Sequence, residues 1–129
     1  MPHTTDRINI LLVDDEDTVR DTTQSMLEVA GFEVGAAVDG LDALEKYQVD
    51  INRFKVVLLD MSMPRLSGPE TLRRLHEIDP NVKVIISTGS CLEEEEIEHV
   101  LKNGASAAIQ KPFRLMELVN KINSVLDRN

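Results

Sequence analysis

A chain of 129 residues with 42% hydrophobic and 29% charged side chains is long enough to close one core, burying about two-thirds of its unfolded surface, and too apolar to be disordered. Its net charge of −9 argues against direct contact with nucleic acid, whose affinity is supplied by clustered Lys and Arg, and favours a basic or metal-bearing partner. Cys91 is the only cysteine, so an intramolecular disulfide is excluded. No apolar run approaches the roughly 20 residues that span a bilayer, and residues 1–7 lack a signal peptide's apolar core, so the expectation is a cytoplasmic chain without membrane contact.

Taken in chain order, five apolar runs alternate with five segments of helical period, the pattern of βα units around a parallel sheet. The first strand is expected over Asn9–Val13, followed by a helix that uses Val19, Met26, Leu27 and Ala30 and stops at Gly31. A second strand, Glu33–Ala37, leads into a helix with Leu41, Leu44 and Tyr47 inward. The third strand, Val56–Leu59, precedes a helix carrying Leu72, Leu75 and Ile78 and ended by Pro80. The fourth, Val82–Ser87, precedes the solvated acidic start Glu93–Glu96, favoured there by the helix dipole, and a helix with Ile97, Val100 and Leu101 that ends at Asn103-Gly104. The fifth strand, Ala107–Ile109, feeds the strongest stripe of all: Leu115, Leu118, Val119, Ile122, Val125 and Leu126 recur at steps of three and four. The expectation is one domain over residues 1–129, with its core at about 8–127 and no output domain.

Polar residues punctuate the strand ends. Asp14 and Asp15 follow the first strand, Asp60 the third, Thr88 the fourth, and Lys111 the fifth, just ahead of Pro112. Parallel strands with right-handed crossovers bring their carboxyl ends to one rim, where open α/β sheets bind ligands. Carboxylates gathered there repel one another unless a cation joins them or a proton neutralises one. An all-oxygen donor set points to a hard divalent ion such as Mg2+ or Mn2+. Singly, each residue has a plainer reading: the aspartates as helix-start residues, with Asp17 a cap, Thr88 as a strand terminator, and Lys111 as a solvated charge. His3, His76 and His99 have no ligand-like spacing, Cys91 reads as a bystander, and Met61 and Met63 read as gap fillers.

Leu12-Val13-Asp14-Asp15-Glu16, Leu58-Leu59-Asp60-Met61-Ser62-Met63-Pro64, Ser67-Gly68, Ser87-Thr88-Gly89, Gly104-Ala105 and Lys111-Pro112-Phe113 together resemble the receiver domain of two-component response regulators, from about Ile8 to Asp127. The resemblance implies a flavodoxin-like three-layer sandwich, with a parallel five-stranded sheet of order 2-1-3-4-5 and helices on both faces. It implies that Asp60 accepts a phosphoryl group from a phosphohistidine on a sensor histidine kinase or histidine phosphotransfer protein. It implies Mg2+ bound directly by Asp15 and Asp60, through water by Asp14, and by the backbone carbonyl of Ser62. Thr88 and Lys111 would read the phosphoryl oxygens, and the Lys111–Pro112 peptide would be cis. The module would signal to a downstream protein rather than turn over a substrate, its chemistry being self-directed phosphotransfer and autodephosphorylation.

One departure stands out: where many receivers carry Tyr or Phe three residues before the site lysine, this chain has Ala108. The expectation is then that movement of the Thr88–Leu92 loop does the relaying in place of a turning ring. Two rival functions stay open from sequence: a phosphorylation-independent scaffold, and a phosphohydrolase of the haloacid-dehalogenase type, whose Asp-x-Asp has Ser62 in place of its second acid. Both a single-domain regulator and the receiver of a hybrid histidine kinase fit the motifs.

Overall fold

The computed structural model describes residues 7–61, 63, 65–89 and 93–127. The expectations for His3, the Ser62 carbonyl, Cys91 and residues 90–92 of the Thr88–Leu92 loop lie outside the described residues. Ten elements alternate: β1 (Asn9–Val13), α1 (Asp17–Val29), β2 (Glu33–Ala37), α2 (Gly40–Val49), β3 (Val56–Asp60), α3 (Gly68–Ile78), β4 (Val84–Thr88), α4 (Glu94–Lys102), β5 (Ala107–Gln110) and α5 (Leu115–Leu126). All strand pairs are parallel, in the order β2-β1-β3-β4-β5, the flavodoxin-like order expected.

Why the strands are apolar almost throughout follows from a period of two with helices on both faces. Leu11, Val13, Val57, Leu59, Val84 and Ile86 face one layer, which α2, α3 and α4 close with residues such as Leu44, Tyr47, Leu72, Leu75 and Val100. Ile10, Leu12, Val56, Leu58, Ile85 and Ile109 face the other, closed by Leu27 of α1 and by Leu118, Ile122 and Val125 of α5. The α5 stripe is therefore one wall of the second core. Met61 and Met63 pack partly buried on the first core, as expected of gap fillers.

Several boundaries differ from expectation, each for a local reason. β3 and β4 run one residue further, so Asp60 and Thr88 are last strand residues: Asp60 is in register with Ser87, and Thr88 with Gln110. β4 starts at Val84 because the Val82 N–H turns back to the Asp79 carbonyl at 3.0 Å. Asp17 is the first residue of α1 rather than its cap; Glu16 holds the cap position without a side-chain bond, and Asp17 instead pairs with Arg20. Leu41 and Leu101 are 40% and 41% exposed and Ala30 is exposed; buried Ala43 and Thr23 take inward positions on α2 and α1. Gly31 and Gly104 close their helices with φ of 100° and 110°, the left-handed conformation that favours glycine.

Candidate functional site

β1 is flanked by β2 on one side and β3 on the other, so the chain reverses its direction of winding between β1 and β3. This switch point opens a crevice at the carboxyl rim. Asp14 and Asp15 enter it from the end of β1 and Asp60 from the end of β3. One carboxylate oxygen of each lies within 4.8 Å of the others. Asp14 and Asp60 are buried, at 3% and 5% exposure, whereas Asp15 is exposed.

Asp14 is held at four atoms. Its N–H donates to the Ala37 carbonyl at 3.2 Å, and its own carbonyl accepts from Arg20 Nη1 at 2.8 Å. Its Oδ1 accepts from the Glu16 N–H at 3.0 Å, and its Oδ2 from Lys111 Nζ at 3.0 Å. The same ammonium donates to Asp60 Oδ1 at 3.1 Å. Lys111 is fixed in turn by its backbone, whose N–H donates to the Thr88 carbonyl at 2.7 Å, and the Lys111–Pro112 peptide is cis, as the resemblance implied. Thr88, buried at 8% exposure, stands at the same rim.

The charges do not balance. Burial pushes the Asp60 carboxyl above the usual carboxylate range; the Lys111 ammonium pulls it down, but the charges of Asp14 and Asp15 raise it again. Burial would lower Lys111, yet its bonds to Asp14 and Asp60 and their charges hold it above the usual lysine value. One ammonium among three carboxylates leaves residual negative charge, directed at a single small volume. That donor set fits a hard divalent cation, which prefers several oxygen ligands and gains most from carboxylates.

The close approach behind Asp60 depends on Gly68, the first residue of α3: a Cβ there would stand 2.7 Å from the Asp60 carbonyl oxygen and 2.8 Å from Met61 Cα. Ser67 caps this helix, its side chain accepting from the Glu70 N–H at 3.3 Å. The structure thus gathers Asp14, Asp15, Asp60 and Lys111, with Thr88 at their rim. Sequence reasoning missed Arg20, whose signal was an arginine one turn into the helix that follows the acidic pair. It also missed Asp39, whose Asp-Gly step after a strand end is a helix-start signature.

Sequence and structure comparisons agree with this architecture. The profile of the response regulator receiver domain family matches residues 10–123, and the chain belongs to that family: it is a receiver domain of two-component signalling. It is 38% identical over 122 residues to the transcriptional regulatory protein CpxR homolog of Haemophilus influenzae, covering 93% of this chain and 51% of that one. It is 33% identical over 117 residues to the chemotaxis protein CheY of Thermotoga maritima, covering 90% of this chain and 95% of that one. The chain therefore spans about half the length of the transcriptional regulators it matches. Among solved structures, a receiver domain protein from Clostridium thermocellum superposes with a TM-score of 0.87 at 34% identity, covering 94% of this chain and 95% of that one. The CheX–CheY complex with BeF3 and magnesium from Borrelia burgdorferi gives 0.85 at 31%, covering 94% and 90%. No helix of the described residues is long and apolar enough to cross a membrane.

Proposed function

We propose that this receiver takes a phosphoryl group onto Asp60 in an Mg2+-dependent reaction. The observation that carries the reading is the buried Asp60 carboxylate at the switch point, 3.1 Å from the Lys111 ammonium and grouped with Asp14 and Asp15. A carboxylate oxygen of Asp60 attacks phosphorus, an O–P bond forms, and the P–N bond of a phosphohistidine breaks. The imidazole leaves with the electron pair and takes a proton from solvent; the product is an acyl phosphate. Asp14, Asp15 and Asp60 are the residues that would hold Mg2+, with the Ser62 carbonyl as the resemblance implies. The ion would supply charge to offset the phosphoryl oxygens.

Lys111 and Thr88 are the groups for reading the product. Charge-assisted hydrogen bonds contribute roughly 1.5–3 kcal/mol each, so two give about 3–6, against about 5.5 kcal/mol to take a switch from 1:99 to 99:1. The donor is a sensor histidine kinase or histidine phosphotransfer protein, and the phosphorylated surface addresses a downstream protein in the cytoplasm. An apolar groove of about 250 Å³ between α1 and the turn after β5, lined by Val19, Met26, Pro112 and Phe113, ends at Lys111; it supports docking of a donor beside the rim. Residues 8–127 act as one receiver unit, either alone or as part of a hybrid kinase.

The test is acetyl phosphate with Mg2+, read by intact mass. One added phosphoryl is expected for the parent and none for Asp60→Asn or in EDTA. An unchanged parent mass favours the scaffold reading, and steady release of phosphate from small monoesters favours the phosphohydrolase.

A further inference from the structure

One buried carboxylate takes no part in the phosphoryl chemistry. Asp39, 5% exposed, caps α2 by accepting from the Asp42 N–H at 2.9 Å on Oδ1. Its Oδ2 accepts from Arg65 Nε at 2.7 Å and from Arg65 Nη2. A cap needs only the first of these bonds. Burial alone would raise the Asp39 carboxyl, but the Asp42 N–H and the Arg65 guanidinium outweigh it and hold the group below its usual value.

Arg65 belongs to the segment that leads from Asp60 to α3, and it sits there at φ 58°, a conformation that costs a non-glycine residue energy unless its surroundings hold it. Two close approaches bracket this segment. A Cβ on Gly40 at the start of α2 would stand 2.1 Å from Thr71 Oγ1 and 3.0 Å from Leu66 Cβ. At the other end, the Gly68 N–H donates to the Met61 carbonyl at 3.1 Å, immediately behind Asp60. Arg65 is thus tied to the α2 terminus by two guanidinium N–H groups that converge on one carboxylate oxygen of Asp39, and Gly68, three residues on, is tied to Met61, the neighbour of Asp60.

We propose that Arg65 and Asp39 are a positioning pair: by tethering the segment after Asp60 to α2, they set how tightly the carboxylate cluster binds Mg2+, without touching the ion. The proposal rests on the reading of this site as an Mg2+-dependent phosphoacceptor. Mg2+ tolerates little deviation from octahedral geometry, so loosening the close approach of Gly68 to the Asp60 backbone reaches its affinity.

The experiment is calorimetric titration of Mg2+ into the parent chain and into Arg65→Ala, Arg65→Lys, Asp39→Asn and the Arg65→Ala/Asp39→Asn double variant. Asparagine caps a helix as well as aspartate does, so Asp39→Asn removes the ion pair and keeps the cap, and it serves if Arg65→Ala fails to fold. Arg65→Ala and Asp39→Asn are each expected to weaken Mg2+ binding about 3- to 10-fold. The double variant is expected to be no weaker than the worse single one, and Arg65→Lys, which keeps the charge without the two converging N–H bonds, to fall between. Affinities within about twofold of the parent in both single variants overturn the proposal even if Tm in EDTA falls, because an ion pair that only supports the fold lowers Tm and leaves affinity alone. Intact mass after acetyl phosphate is read on the parent in parallel. If the parent binds Mg2+ with this variant pattern yet takes no phosphoryl, the phosphoacceptor reading fails and the positioning pair stands; a parent that takes up no Mg2+ overturns both.

Discussion

Burial and the neighbouring carboxylates disfavour the ionised form of Asp60. Its carboxyl lies above the usual range because of burial and of the neighbouring Asp14 and Asp15, so the folded chain binds this proton more tightly than the unfolded chain does. By linkage, stability is then greatest below the unfolded pKa and falls as pH rises through the window up to the folded one. Asp60→Asn removes the charge and keeps an oxygen for Lys111. In EDTA at neutral pH this variant should be more stable than the parent by about 1 kcal/mol, roughly 3–6 °C in Tm for a domain of this size. The gap should close as pH is lowered toward about 4. Thermal unfolding in EDTA across that range checks it; a variant less stable than the parent at neutral pH would sink the electrostatic account. Gly68→Ala acts through sterics instead, since the new methyl would stand 2.7 Å from the Asp60 carbonyl oxygen. A loss of about 1–3 kcal/mol is expected in urea unfolding.

Among the elements, α5 and β4 carry distinct burdens. α5 closes the second core with Leu118, Ile122 and Val125, all 0% exposed; Ile122→Ala should cost about 2–5 kcal/mol by the methylenes lost and the cavity left, and urea unfolding measures it. β4 ends at Thr88, the residue proposed to read the phosphoryl group. Ala108 is in register with Ile86 and packs partly buried on the first core, so there is a methyl where a turning ring would act in many receivers. Relay is expected to pass through the chain after Thr88 into α4. Amide shifts on beryllofluoride binding should therefore extend into residues 93–102, and Thr88→Ala should retain phosphorylation while losing those shifts. Shifts confined to the neighbourhood of Asp14, Asp15 and Asp60 would rule this relay out.

At the scale of the molecule, the net charge is −9, and three of the acids share one pocket, the proposed Mg2+ site. Mg2+ at about 100 times its dissociation constant should raise stability by about 2.7 kcal/mol, seen as a Tm rise on Mg2+ addition that EDTA reverses. Asp60→Asn should show a smaller rise, because the proposed site loses one of its three carboxylates.

Much of this protein was legible in one dimension because its signals are local or periodic. Apolar runs alternating with helical stripes dictated five βα units, and right-handed crossovers dictated that Asp14, Asp15, Asp60, Thr88 and Lys111 share a rim. The motifs at those positions placed the chain in its family. Tertiary structure decided what depends on distant pairs. That Lys111 bridges Asp14 and Asp60, that Gly68 is needed by the backbone of β3, and that Arg65 reaches back to Asp39 involve partners far apart in the chain or backbone close packing. Helix faces likewise depended on it: Leu41 and Leu101 are left 40% and 41% exposed, because which part of an apolar stripe is covered is set by the neighbouring layer rather than by spacing. Sequence encodes periodicity and chemistry, whereas contact across elements arises only once the sheet has chosen its order.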